Sequence, residues 1–319
     1  MAADIVSPGG LGRGRRSRRT GPRVWGSGPS EVRFGGIVPA VQAPSTIEHR
    51  PPAAHSLMPY LVDLRHLMTA ARLCMRRAAA PGVDGLTWAG YRQGLRDRLT
   101  ILAERLRSGE WTPHPSREVG ITSFAGKVFT AAIPTVEDRI VHRAIRLALE
   151  PILEHRVLRD WVSAYRPGRN RITALRQADE HVRAGRAWLA DIDVAGASAG
   201  GDTEQFVGWL AEHVTDGTFL AVFRRALLGL PTPLVPGSGL WPVLFHLRLS
   251  QVDTILDGRP LIRFADNYIA FTRSRSHAAE AFDAITAALA HVDLAPNARK
   301  SSIRPPHLAN PEDLFLIDG

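Results

Sequence analysis

LIRFADNYIAF, residues 261 to 271, sets two short apolar runs on either side of Ala-Asp-Asn, a pattern that reads as a tight β-hairpin. Asp and Asn favour turns because their side chains hydrogen-bond nearby backbone, so Asp266 and Asn267 have a bland explanation. The neighbouring segments constrain the chain further. AWLADIDV, 187 to 194, is an apolar run of strand length and reads as a buried strand. Helical patterns follow at 203–213, 219–228 and 243–255. After the hairpin, 277–291 reads as an amphipathic helix, and 297–304 and 314–317 are candidate strands. The second half is therefore β-α-β-β-α-β, a split βαβ arrangement that sets the strand carrying Asp193 beside the hairpin carrying Asp266. Asp191 is a second carboxylate on the same strand.

The first half reads differently. Residues 1–55 are rich in Gly, Pro, Ser and Arg and lack periodicity, the composition of a disordered arm. Arg13, Arg15, Arg16, Arg18, Arg19 and Arg23 make that arm basic, suited to polyanions or simply solvated. GGLGRG within it has glycine spacing near a dinucleotide fingerprint, but no strand precedes it. Helical spacing begins near Leu57, and 91–106 reads as one amphipathic helix. REVGITSF and KVFTAAI read as a hairpin joined at Ala125-Gly126. Residues 135–154 read as a long helix capped by Thr135, with Glu137 and Asp138 at its positive end and Ile140, Ala144, Leu147 and Ile152 as the buried stripe. SAYRPGRN is a basic loop, and 172–184 is again helical. The histidines show no metal-ligand spacing, and Trp161 and Trp188 read as core.

The formal charge of the 319 residues is +9, almost wholly from arginine, with Lys127 and Lys300 the only lysines. Cys74 is the single cysteine, which excludes an intramolecular disulfide and fits a reducing compartment. No apolar run reaches membrane-spanning length and the N-terminus lacks a secretory core, so the expectation is a cytoplasmic protein with no membrane partner.

At this point the sequence resembles the bacterial reverse transcriptases of the group II intron and retron type, from about Leu64 to Leu316. PGVDG (81–85) resembles the family's opening motif, and IPTVEDRIVHRAIRLALEPILE (133–154) is its most specific signature. SAYRPGRN (163–170) resembles its basic loop, LADIDV its first metal-binding strand, and VPGSGLWPVLFHLRLSQVD (235–253) its nucleotide and primer segment. RFADN stands where the family has Tyr-Ala-Asp-Asp, and NARKS (297–301) resembles its late lysine motif.

The resemblance implies an α/β (α+β) fold: right-hand polymerase fingers over 56–185 and a palm over 186–319, the palm a ferredoxin-like sheet covered by helices. The implied activity is RNA-directed DNA polymerisation, in which two carboxylates hold a pair of Mg2+ (or Mn2+) ions for nucleotidyl transfer. The ligand roles fall to Asp193 and Asp266, with the Val194 carbonyl and with Asn267 reaching the hydration shell. Lys300 is the implied proton donor to pyrophosphate. Lys127, Ser198 and Gly237 fall at the nucleotide, and Arg139, Arg166 and Arg169, with the N-terminal arginines, at nucleic acid. Implied partners are an RNA template with its primer, and deoxynucleotides.

Several positions depart from the family. Ala197, Ser198 and Ala199 stand where two aromatics and an acid are expected, and Asn267 replaces the hairpin's second acid. The nucleotide-contacting glutamine is missing at Pro236-Gly237. Ser123 and Phe129 replace the triphosphate-gripping lysine and arginine. The sequence stops where the family's thumb would begin, and a separate thumb-supplying chain is one candidate partner. The alternative is a catalytically inactive nucleic-acid-binding descendant, or the remnant of a truncated mobile-element protein.

Overall fold

The computed structural model describes residues 56–76, 80–122 and 128–306. The arginine arm with Arg13, Arg15, Arg16, Arg18, Arg19 and Arg23, together with Ser123, Lys127 and the candidate strand at 314–317, lies outside the described residues. The helical run after Leu57 forms α1 (Met58–Leu61) and α2 (Leu64–Met75). Asp63 interrupts it: its backbone is extended, and its carboxylate accepts the His66 N–H to cap α2. The amphipathic run at 91–106 is also divided, into α3 (Trp88–Arg92) and α4 (Leu95–Ser108). Gly94 makes that break by taking a left-handed φ of 66°.

β1 (Arg117–Thr122) and β2 (Val128–Ile133) form a two-stranded antiparallel sheet, with Arg117 opposite Ile133. The long helix α5 (Val136–Arg156) follows, and the Thr135 hydroxyl accepts the Asp138 N–H at its start. Ile140 and Ala144 are buried, whereas Leu147 and Ile152 pack part-buried at the rim of the same core. The two acids at this helix end have separate jobs. Glu137 pairs with Arg105 at 2.7 Å, while Asp138 is buried and accepts the Thr135 hydroxyl at 2.7 Å and the His114 N–H at 3.1 Å. PGVDG packs on the cap: a Cβ on Gly82 would lie 2.7 Å from the Thr135 Cα.

β3 (Val162–Ser163), α6 (Arg171–Arg183) and β4 (Trp188–Ala195) lead into three helices, α7 (Thr203–Ala211), α8 (Gly217–Leu228) and α9 (Trp241–Ile255). The hairpin β5 (Leu261–Phe264) and β6 (Asn267–Thr272) comes next, then α10 (Arg275–Ala290), β7 (Ala295–Pro296) and β8 (Ser302–Arg304). The main sheet runs β3-β5-β6-β4-β7, with β8 also on β4. Strand β4 is antiparallel to β6 and to β8, so β4-α-β5-β6-α10-β8 has the β-α-β-β-α-β order. This is a mixed α/β fold.

Alternation along β4 feeds two cores. Leu189 meets Ala174 and Ala178 of α6 together with Ile262, Ile269 and Phe271. Ala190, Ile192 and Val194 join the larger core with α5 and α9. Trp161 and Trp188 are half-buried. Among the described residues no helix is long and apolar enough to cross a membrane.

Candidate active site

Asp193 of β4 lies opposite Asn267 of β6, and the Val194 N–H donates to the Asp266 carbonyl at 3.3 Å. The two aspartates therefore sit at the same end of adjacent strands. Asp191 is set two residues deeper, opposite Ile269, and pairs with Arg304 at 2.8 Å. Burial pushes the Asp191 carboxyl up to about 6, with Asp193 adding to the rise and Arg304 opposing it.

The hairpin turn has only Ala265 and Asp266 between the paired residues Phe264 and Asn267. Ala265 takes a φ of 55°, a left-handed conformation unfavourable for a residue with a Cβ. Arg263 holds it there. Its Nη1 donates to the Ala265 carbonyl at 3.0 Å, while Nη2 and Nε grip Asp253 of α9. Tyr268 donates its hydroxyl to the same carboxylate at 2.7 Å, and all three side chains are buried. Strained backbone held by a buried network is a common mark of functional turns.

NARKS closes on Asp193 from the other side. The Asn297 N–H donates to the Asp193 carbonyl at 2.8 Å, and the Ser301 hydroxyl lies 3.2 Å from both the N–H and the carbonyl of Asp193. Lys300 thereby comes within 3.5 Å of the Asp193 carboxylate. Burial raises the Asp266 carboxyl above the usual range, with nearby Asp193 adding to the rise; its own backbone amide, Lys300 and Arg263 oppose it.

Asp266 opens into a cleft of ≈ 1190 Å³ that Ser198, Gly237, Tyr165 and Trp241 also line. Ser198 is exposed, and its carbonyl accepts the Trp241 indole N–H at 3.0 Å. Trp241 stacks on Phe245 at 4.8 Å, and Tyr165 meets both rings edge-on. Gly237 is where the backbone crosses β2. The Ala132 N–H donates to the Pro236 carbonyl at 2.8 Å, and at a φ of 96° a Cβ on Gly237 would collide with the Ala132 oxygen. Phe129 of β2 lines the same cleft.

The basic loop is organised differently from the expectation of phosphate contacts. Arg166 is buried and forms a two-pronged pair with Glu154 at 2.7 and 3.0 Å, and its Nη1 donates to the Arg159 and Val162 carbonyls. Its role is to fold the loop, in which Ala164 and Tyr165 take positive φ. Arg169 pairs with the exposed Asp160 at 2.8 Å. Arg139 lines the cleft, but it also donates to the Ala80 carbonyl and lies over the Trp88 ring at 5.2 Å. His142 is packed in the interior, and burial lowers its imidazole to about 4. Sequence reasoning missed Asp253, Ser301 and the cleft arginines Arg143 and Arg146.

No family model matches the chain. It is 29% identical over 216 residues to the protein YkfC of Escherichia coli K12, a match covering 61% of this chain and 55% of that protein. It is 26% identical over 140 residues to the group II intron-encoded protein LtrA of Lactococcus lactis subsp. cremoris, covering 44% of this chain and 22% of LtrA. The chain thus spans about half the length of YkfC and less of LtrA. Among solved structures it is similar to the partial Cas6-RT-Cas1–Cas2 complex at 19% identity and a TM-score of 0.37, over 74% of this chain and 42% of that one. The chain is a mixed α/β protein distantly related to a group II intron-encoded protein.

Proposed function

We propose that the protein is a reverse-transcriptase-like polymerase unit that extends a primer on an RNA template. The observation that carries the reading is that β4 sets Asp193 beside the turn carrying Asp266, which opens into a large cleft. The residues of 186–319 would form the palm and those of 56–185 the fingers.

The donor set fits hard divalent cations. Burial and a second nearby acid disfavour the Asp266 charge, and a cation would offset both effects. Among the described residues there is no group of three or more His, Cys, Asp or Glu placed to hold a metal, so waters would have to complete the coordination, as Mg2+ commonly allows. Asp193 and Asp266 would hold the ions, with Val194 contributing its carbonyl and Asn267 reaching bound water. When bound, Mg2+ or Mn2+ supplies charge neutralisation at the primer hydroxyl and the leaving pyrophosphate. The chain's own groups do the rest. Lys300, tethered by the Asn297–Ser301 turn, places a proton-bearing ammonium beside Asp193. Arg263 and Asp253 keep Asp266 at the turn.

Extension of a primed RNA template with Mg2+ or Mn2+, offering both deoxy- and ribonucleotides, tests the reading. Asp193→Asn and Asp266→Asn should each lower the rate by roughly 10²–10³-fold or more. A wild-type protein that extends under no condition favours the second reading, a nucleic-acid-binding descendant. The open space at Ser198 and the missing glutamine support that second reading.

A further inference from the structure

Helix α5 presents Arg139, Arg143 and Arg146 to the same cleft that Asp266 enters. The spacing i, i+4, i+7 puts the three on one helix face, rising about 1.5 Å per residue along the cleft wall. Fully solvated arginines would be unremarkable, but none of these three is exposed. Arg139 is only 9% exposed, and Arg146 has a side-chain exposure of 21%. Two of their donors, Arg139 Nη1 and Arg143 Nε, are buried without a hydrogen-bond partner among the described residues. A buried N–H of a charged group without a protein acceptor calls for a bound ion or water, and both of these donors belong to residues that line the cleft. Carboxylates do not fill the gap. Arg146 pairs with Glu150 at 2.6 Å, and the acids lining the cleft are Glu118 and Asp266.

We infer that the α5 arginine row is a phosphate-binding ladder, gripping phosphate groups of a nucleotide or of a nucleic-acid strand laid along the cleft. Guanidinium forks match phosphate oxygens, and a fixed helical spacing repeats the match. The ladder deepens the reading above, because it names what the same cleft grips. It also supplies positive charge to a cleft in which Phe129 stands where a basic residue was expected. It does not require that the chain polymerise.

The test uses the full chain and a fluorescein-labelled single-stranded RNA, titrated across a range of salt, with inorganic tripolyphosphate as competitor. Arg139 is left alone because it also braces Ala80 and Trp88. The variants are Arg143→Gln, Arg146→Gln and the double, each checked for an unchanged melting temperature. Arg224→Gln on α8, exposed and paired with Glu204, is the control. The double variant should bind RNA at least about ten-fold more weakly, and its log–log salt slope should fall by about 1.4, roughly 0.7 for each phosphate no longer neutralised. Loss of tripolyphosphate competition with an unchanged strand slope would assign the ladder to free nucleotide instead. If both readouts match Arg224→Gln, the proposal is overturned. Failure of primer extension leaves the slope prediction standing, so the two readings fail separately.

Discussion

Arg263 and Asp253 meet with neither side chain exposed, Nη2 to Oδ2 at 2.6 Å and Nε to Oδ1 at 2.9 Å. The pair ties helix α9 to β5, the strand that leads into the turn carrying Asp266. Removing one partner leaves the other charge buried and uncompensated, which typically costs about 3–5 kcal/mol. Arg263→Met should therefore lower the unfolding free energy obtained from urea titration by an amount in that range. The double change Arg263→Met with Asp253→Leu should recover much of it. A single variant as stable as wild type would show that water reaches Asp253.

Asp191 gives a pH signature. Its folded carboxyl is raised to about 6 from 3.8, so between these values the native state holds a proton that the unfolded chain has released. Its contribution is fully present below about pH 4 and is lost as pH rises through 6. Histidines lowered by burial, such as His142 at about 4, act in the opposite sense over the same window. The informative quantity is a difference. The stability of Asp191→Asn relative to wild type should improve by on the order of 2–3 kcal/mol between pH 4 and 7, read from urea unfolding at each pH. A flat difference would mean that Arg304 keeps Asp191 ionised throughout.

Gly237→Ala combines a left-handed φ with a collision against the Ala132 carbonyl. Strain and overpacking together should destabilise the protein by about 2–4 kcal/mol, measured as a lowered melting temperature. If the variant melts like wild type, the Pro236–Gly237 segment is free to move away from β2.

Ser198 lines the cleft with a small side chain, and on the proposed reading it stands where a bulky ring would face the sugar, so any extension by the wild-type protein should discriminate weakly between deoxy- and ribonucleotides. Ser198→Phe should raise deoxynucleotide preference by tens to hundreds of fold, the scale of a packing interaction worth roughly 1–3 kcal/mol. The assay is single-nucleotide extension with each sugar. Unchanged selectivity in an active variant would move attention to Trp241, whose indole already covers the Ser198 carbonyl.

How far the sequence could be read follows from the range of each interaction. The β4 run, the hairpin and the Thr135 cap were legible because periodicity, turn chemistry and capping are local signals. The breaks at Asp63 and Gly94 carried local signals too, a capping residue and a glycine, but continuous apolar spacing masked them. The burial of Arg166 was not legible because its acceptors, Glu154 and two carbonyls, are set by the path of the loop. A solvated arginine and a buried one are spelled alike. Asp253 and Tyr268 were missed for the same reason, and β3 is too short to show any alternation.

Ser301 touches Asp193 across a separation of 108 residues, and β8 shields the flank of β4 just beyond that point. Until that late segment docks, β4 offers a row of unpaired backbone groups along one side of an apolar strand, a template for pairing with other chains. The site's geometry and the cover over this strand edge thus depend on the same few residues. A chain shortened before Ala295 would lose both together, leaving Asp193 unbraced and one side of β4 open to pairing.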